Sequence, residues 1–197
     1  MKDLKNETAK LIVGSTQNLA QVVASASFDF FQRKDLRLYV DFDNLSQTEQ
    51  DRIFNELELS VLGLFVLYFD YEVNQASLEE KKNVFSSLRK DLPAAFLQMF
   101  IELGIEKKFI DQWKMLIEMR LKEYRGHFGL AMKESSKWKE FKEEKLSQSA
   151  WAQIETIAID CLTHIRRGKV EKDDPLWKLL GKWLITLYAQ ISPMSKL

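Results

Sequence analysis

The feature that most constrains the fold is an apolar run over residues 59–69, LSVLGLFVLYF, which only Ser60 and Gly63 interrupt. A helix that crosses a bilayer needs about 20 apolar residues, so this run is too short to span a membrane. A helix that is apolar on all sides must instead be surrounded by other helices. The run therefore predicts the central helix of a helical bundle.

The composition supports an all-α fold class. The chain has 197 residues, of which 46% are hydrophobic, but only 7 are glycine and 3 are proline. So few glycines and prolines argue against many short strands joined by tight turns. This length suits one domain with a substantial core. We predict a single domain over residues 1–197, an irregular or orthogonal bundle of about six to eight helices around the central apolar helix.

Charge and cysteine content narrow the classes of partner. Lysine plus arginine equals aspartate plus glutamate at 29 each, so nothing steers the chain toward nucleic acid or an anionic membrane. We therefore expect no nucleic-acid partner. Cys161 is the only cysteine, which excludes an intrachain disulfide and a cysteine-based zinc site. The polar N-terminus has no apolar segment behind it, which favours a cytoplasmic location.

Start signals and periodicity predict the first helices. Apolar residues at helical spacing indicate a helix over residues 5–31, and residues 36–42 alternate with period two. Those seven residues form either an extended connector or a short helical piece. Ser46 and Ser77 are each followed three residues later by glutamate, a pattern typical of a helix N-terminus. We expect Pro93 to break or kink the helix that follows Ser77.

The second half of the chain predicts three longer elements. Gly104 should end one helix, and a long amphipathic helix over residues 105–132 follows it. Residues 133–146 are the most polar stretch and are expected to form an exposed excursion. A penultimate helix covers residues 147–167, and a last helix covers residues 175–191, where proline occupies the first position.

Both histidines of the chain belong to pairs that could bind a metal. Glu123 precedes His127 by four residues, and Asp160 precedes His164 by four. Side chains at this spacing share a helix face, so two pairs on facing helices would supply two imidazoles and two carboxylates. The same spacing is also ordinary helix-surface stabilisation, and the Glu-x-x-His spacing of di-iron bundles is absent. We therefore predict no cofactor and keep the metal site as an alternative.

Two charged residues fall within apolar helix faces. Arg120 lies in the apolar arc of the 105–132 helix, and Glu155 lies in that of the 147–167 helix. Such residues are rarely buried without a partner. They either pair with each other, extend to the rim, or line a cavity that binds a small apolar or anionic ligand. The ligand site would then contain Trp113, Arg120, Tyr124, His127, Trp151 and Glu155.

The motifs of common enzymes are missing from the sequence. It contains no phosphate-binding glycine loop, no GxSxG, no HExxH and no EF-hand loop. Cys161 lies on an apolar face, where cysteine usually behaves as an inert small hydrophobe. These absences favour a non-enzymatic binding or protein-interaction module over an enzyme.

The helix patterns suggest one protein partner and one alternative function. Trp183 and Tyr188 accompany four leucines on one face of the 175–191 helix, which suggests a homodimer through that helix. The alternative from another class is a small-molecule- or metal-dependent sensor or enzyme. Its site would lie between the 105–132 and 147–167 helices.

Overall fold

A computed structural model describes residues 2–135, 146–171 and 173–196. In these residues the chain forms seven α-helices and no β-strand, which confirms the predicted all-α class and helix number. The helices are α1 (Lys2–Phe31), α2 (Lys34–Tyr39), α3 (Gln47–Gln75), α4 (Glu79–Glu102), α5 (Lys107–Ser135), α6 (Gln148–Ile165) and α7 (Pro175–Ile191). Short 3-10 turns occupy Phe42–Asn44 and Ser192–Lys196.

Helix α3 is the centre of the bundle. It contacts α1, α4, α5, α6 and α7, and every residue from 56 to 69 is buried. The apolar side chains of the 59–69 run are each no more than 1% exposed. The predicted central helix is therefore confirmed, and burial of apolar surface on all of its sides is what holds the other helices around it.

The closest approach to α3 occurs at Gly63. A Cβ atom built there would overlap the ring of Tyr124, which is completely buried on α5. Because the ring is enclosed, it has no space into which to move. We expect Gly63→Ala to lower the free energy of unfolding by about 1–3 kcal/mol in urea titrations, because overpacking forces the helices apart.

Gly126 provides the matched control for that substitution. It lies exposed on α5, and a Cβ atom built there meets no atom within 4 Å. Gly126→Ala should leave stability unchanged or raise it by up to about 1 kcal/mol through helix propensity. Equal stability of Gly63→Ala and the unmodified protein would contradict the close approach.

Of the two effects predicted for Pro93, a break or a kink, the break is wrong. Helix α4 runs from Glu79 to Glu102 with Pro93 inside it. A proline in a helix interior costs about 3 kcal/mol, but α4 packs along α1 and α3 on both sides of it. Phe85 and Leu88 before the proline and Phe96 after it are buried on one face. Burial of this continuous apolar stripe outweighs the lost backbone hydrogen bond.

Residues 36–42 are not an extended strand: residues 36–39 belong to α2, residues 40 and 41 form a turn, and Phe42 begins a 3-10 turn. Leu36 is 1% exposed and Val40 is 6% exposed, whereas Leu38 between them is 75% exposed. The two buried residues are therefore four apart, which is the spacing of one helix face. The period-two alternation in the sequence does not correspond to two faces of a strand.

The predicted helix ends are mostly confirmed. The Ser46 side chain accepts a hydrogen bond from the Glu49 amide at 3.3 Å, and Gly104 ends α4 with φ +77°. The side chain of Asp174, which directly precedes Pro175, accepts a hydrogen bond from the Leu176 amide at 2.9 Å. The start predicted at Ser77 is wrong by one residue, because Leu78 is the N-cap of α4. Most of the predicted excursion, residues 136–145, lies outside the described residues.

Candidate functional site

Arg120 is held by a carboxylate of the central helix. Its Nη2 lies 2.7 Å from Glu56 Oε1 and its Nε lies 3.1 Å from Glu56 Oε2, a two-pronged ion pair. Glu123 accepts a further hydrogen bond from Arg120 Nη1 at 3.3 Å. The side chains of Arg120 and Glu56 are only 11% and 7% exposed. Arg120 is thus a structural residue of the α3–α5 interface.

The predicted pairing of Arg120 with Glu155 is therefore wrong. Burial by itself lowers the pKa of Arg120, but the hydrogen bonds and charge of Glu56 outweigh it and raise that pKa above its usual value. Glu56 was not predicted as the partner of Arg120, because it precedes the apolar run. Glu56, Ser60 and Gly63 nevertheless share one face of α3. One turn after Glu56, every side of this helix is buried.

The four side chains of the predicted metal site lie between α5 and α6, where each histidine pairs with the acid of the other helix. His127 Nδ1 lies 2.8 Å from Asp160 Oδ1, and His164 Nε2 lies 3.0 Å from Glu123 Oε2. Burial raises the pKa of Asp160, and the hydrogen bond with His127 opposes that shift. Among the described residues, no group of three or more His, Cys, Asp or Glu side chains could hold a metal ion.

Two other residues predicted near Arg120, Tyr124 and Trp113, pack in or against the core. Tyr124 is completely buried, and burial raises its pKa well above the ordinary value. Trp113 packs against Phe96 and Phe100, with ring centroids 5.8 Å and 5.0 Å apart. Burial also raises the pKa of Cys161 to about 12, so the thiol stays protonated and inert at neutral pH.

An arginine that the sequence analysis missed closes the end of α6. Arg52 donates hydrogen bonds to the carbonyls of His164 at 2.6 Å and Ile165 at 3.0 Å. The last carbonyls of a helix lack partners within it, and a cation there is also favoured by the helix dipole. The contact joins residues more than 100 positions apart, so local spacing does not reveal it.

The two arginines that directly follow α6 are bound to acids. Arg166 forms a two-pronged ion pair with Asp174, with bonds of 2.7 Å and 3.0 Å, and Arg167 pairs with Glu49. The hydrogen bonds from Arg166 lower the pKa of Asp174. The Arg166–Asp174 pair joins the end of α6 to the start of α7, and the Arg167–Glu49 pair joins the same connection to α3.

The face of α7 that suggested a homodimer lies in the core. Trp183 is 8% exposed and stacks on Phe30 with ring centroids 4.1 Å apart, and Tyr188 is 6% exposed. The leucines of the same face, Leu176, Leu179, Leu180, Leu184 and Leu187, are buried too. This face is occupied by the protein's own helices and is not available to a second copy, so the predicted homodimer through 175–191 loses its basis.

A groove lies between α6 and α7, on the side of α6 away from the His–acid pairs. Helix α6 contributes Trp151, Ile154, Glu155 and Ala158 to its walls. Helix α7 contributes Trp177, Lys178, Gly181, Lys182 and Ile185. The volume is about 210 Å³. A Cβ atom on Gly181 would meet nothing within 4 Å, so the missing side chain of this residue leaves part of the space open.

Among the described residues that line this groove, Glu155 is the only acidic one. It is half-buried, and it forms no ion pair with any described residue. Burial alone raises the pKa of its carboxyl to about 7. Glu155 and Trp151 line this groove, but the predicted site lay between the 105–132 and 147–167 helices, and the apolar arc of α6 that carries the two residues faces α7. Trp113, Arg120, Tyr124 and His127 are not part of it.

A second concavity is polar and open. It has a volume of about 610 Å³ and lies where α3, α4 and α5 meet. Asp70 accepts hydrogen bonds there from Arg89 at 3.1 Å and Arg125 at 2.7 Å. Its two arginines are therefore partly neutralised within the protein, which makes this cleft a weaker candidate for a ligand site than the groove.

Comparison with known proteins gives no match: no protein-family model, curated protein or solved structure aligns with this chain. Within the described residues, no helix combines the length and the apolar character that crossing a membrane requires.

Proposed function

We propose that this protein is a non-enzymatic binding module whose ligand is a small, largely apolar molecule held in the α6–α7 groove. The observation that carries the proposal is a concave surface walled by two tryptophans and by aliphatic side chains, with one carboxyl group that has no ion-pair partner among the described residues. Ligand sites are typically apolar depressions with a few polar groups that orient the ligand.

The size of the groove limits the ligand. An engineered apolar cavity of about 150 Å³ accommodates benzene, and the groove has about 210 Å³. A molecule with one or two fused aromatic rings, or a short aliphatic chain of similar volume, matches that space. Longer molecules would extend beyond the mouth into solvent.

The distribution of titratable groups favours binding over catalysis. Both histidines are bonded to carboxylates at the α5–α6 interface, and burial keeps Cys161 protonated. Of the described residues that line the groove, the titratable ones are Glu155, Lys178 and Lys182, and they do not combine a nucleophile with a base. The cytoplasmic location expected from the sequence remains a prediction.

Filling the groove from its open side tests the proposal. Gly181→Leu places a side chain in space that is empty and should remove a helix-interior glycine without strain. We expect naphthylmethanol to bind the unmodified protein in calorimetry with micromolar to millimolar affinity, and we expect Gly181→Leu to weaken this binding by about tenfold or more.

Gly126→Leu is the matched control, because Gly126 is also an unobstructed helical glycine but lies on α5 outside the groove. It should gain similar helix propensity and bind naphthylmethanol as the unmodified protein does. If naphthyl compounds of any charge fail to bind, or bind equally well to Gly181→Leu, the proposed site is wrong.

A further inference from the structure

We infer that the ligand of the α6–α7 groove carries a positive charge, as a protonated amine attached to the apolar body, and that Glu155 is its partner. This inference rests on the proposed function and specifies the chemical class of the ligand. The juxtaposition behind it is a carboxyl group without a cationic partner among the described residues, in a groove that two tryptophans also line.

The unpaired charge of Glu155 favours a cationic ligand. Among the described residues, the buried acids Glu56, Asp160 and Asp174 each have an arginine or histidine partner, whereas Glu58 has none and is enclosed in the core. Glu155 has no such partner either, but it is only half-buried and lines a groove that a ligand can enter. A neutral ligand would cover the carboxylate and remove water from it, which is unfavourable for an unpaired charge. An ammonium group would instead replace the lost water with a charge-assisted hydrogen bond.

The two tryptophans that line the groove also favour a cationic ligand. Trp151 lies one helical turn before Glu155, and Trp177 lines the groove from α7. Indole rings attract cations electrostatically, by about 0.5–2 kcal/mol depending on how far the cation is removed from water. A carboxylate with tryptophans beside it therefore favours a cation bound to an apolar group over a simple hydrophobic molecule.

The two lysines of the groove do not already satisfy Glu155. Lys178 and Lys182 are exposed, so their aliphatic stems line the groove while the ammonium groups remain in water. A nearby ammonium would lower the pKa of Glu155, but burial is the one cause that acts on it. The lysines therefore do not neutralise Glu155, and its charge is available to a ligand.

A matched series of naphthyl compounds tests this inference. Calorimetry at about pH 8, where the Glu155 carboxyl is ionised, would compare naphthylmethylammonium, naphthylmethanol and naphthoate. We expect the cation to bind about tenfold more tightly than the neutral alcohol and the anion to bind most weakly. In Glu155→Gln, the cation and the alcohol should bind within about threefold of each other.

Glu118→Gln is the control for removal of a negative charge, since Glu118 is exposed on α5 outside the groove. It should retain the preference for the cation. If the alcohol binds as tightly as the cation, the groove is a site for neutral molecules, and the inference fails while the proposed function stands. If naphthoate binds most tightly and loses this advantage in Lys178→Met with Lys182→Met, the lysines select an anion, and the inference is overturned.

Discussion

Replacing Arg120 by methionine is expected to lower the free energy of unfolding by about 3–5 kcal/mol, because it leaves a buried carboxylate without its partner. Glu56 is 7% exposed and receives two of its hydrogen bonds from Arg120. Methionine preserves much of the length and apolar volume of the arginine stem. The change therefore isolates the loss of the charge and hydrogen bonds, which urea unfolding at neutral pH would measure.

A second substitution distinguishes a structural ion pair from other causes. Arg120→Met combined with Glu56→Leu should recover much of the loss, since a buried pair can often be replaced by apolar residues at little cost. Arg120→Met combined with Glu155→Leu should recover nothing, because these two side chains do not meet. A double variant with Glu56→Leu that is no more stable than Arg120→Met would contradict the assignment.

Arg89→Met provides a control for the loss of an exposed ion pair. Arg89 binds Asp70 at 3.1 Å, but its side chain is 39% exposed. Pairs of this kind contribute between zero and about 1 kcal/mol, because water solvates both charges when the pair is broken. A loss as large as that of Arg120→Met would show that burial does not govern the effect.

The fold was largely predictable because its main determinant is local in the sequence. An apolar run too short for a membrane and without a polar face has one stable environment, the centre of a bundle. Capping at Ser46 and Asp174 likewise depends on neighbouring residues. Pro93 was misjudged because its local cost is opposed by packing of α4 against α1 and α3, which involves residues far away in the chain.

The site was only partly predictable, because periodicity identifies a buried face but not the helix that covers it. Glu155 and Trp151 were assigned correctly to the apolar arc of α6, yet that arc faces α7 rather than α5. The acid–histidine pairs came together across α5 and α6, but in crossed order. The partner of Arg120 is 64 residues away, and no spacing rule connects residues so distant.

The two buried glutamates of α3 show how differently the same residue type can be accommodated. Glu56 and Glu58 are two positions apart, so they project from nearly opposite sides of the helix. Glu56 meets Arg120, whereas Glu58 is 3% exposed and pairs with no cation of the described residues. Burial alone raises the pKa of Glu58 from 4.5 to about 8. Glu58 is therefore protonated in the folded protein at neutral pH.

This raised pKa makes stability depend on pH in a defined direction. Above about pH 4.5 the unfolded chain releases the Glu58 proton, while the folded protein retains it until about pH 8. The folded state then binds more protons than the unfolded state, so the free energy of unfolding falls as pH rises across this window. The contribution is fully present below the lower pKa and is lost above the higher one, in total about 4–5 kcal/mol.

Glu58→Gln should remove this dependence, because glutamine has similar size and does not titrate. We expect the variant to be more stable than the unmodified protein by several kcal/mol at about pH 9, with the difference shrinking toward zero or reversing near pH 5. Urea unfolding of both proteins across that range measures the difference. Glu72, Glu155 and Asp160 also have raised pKa values, but they titrate in both proteins and cancel in the comparison.

Glu118→Gln supplies the corresponding control at an exposed position of α5. Its stability should track that of the unmodified protein at every pH, because the Glu118 side chain is exposed and the substitution changes no buried group. If Glu58→Gln differs from the unmodified protein by the same amount at both ends of the range, Glu58 titrates normally. Its carboxylate would then have to reach water or a cation, and the close packing around the centre of α3 would not extend to residue 58.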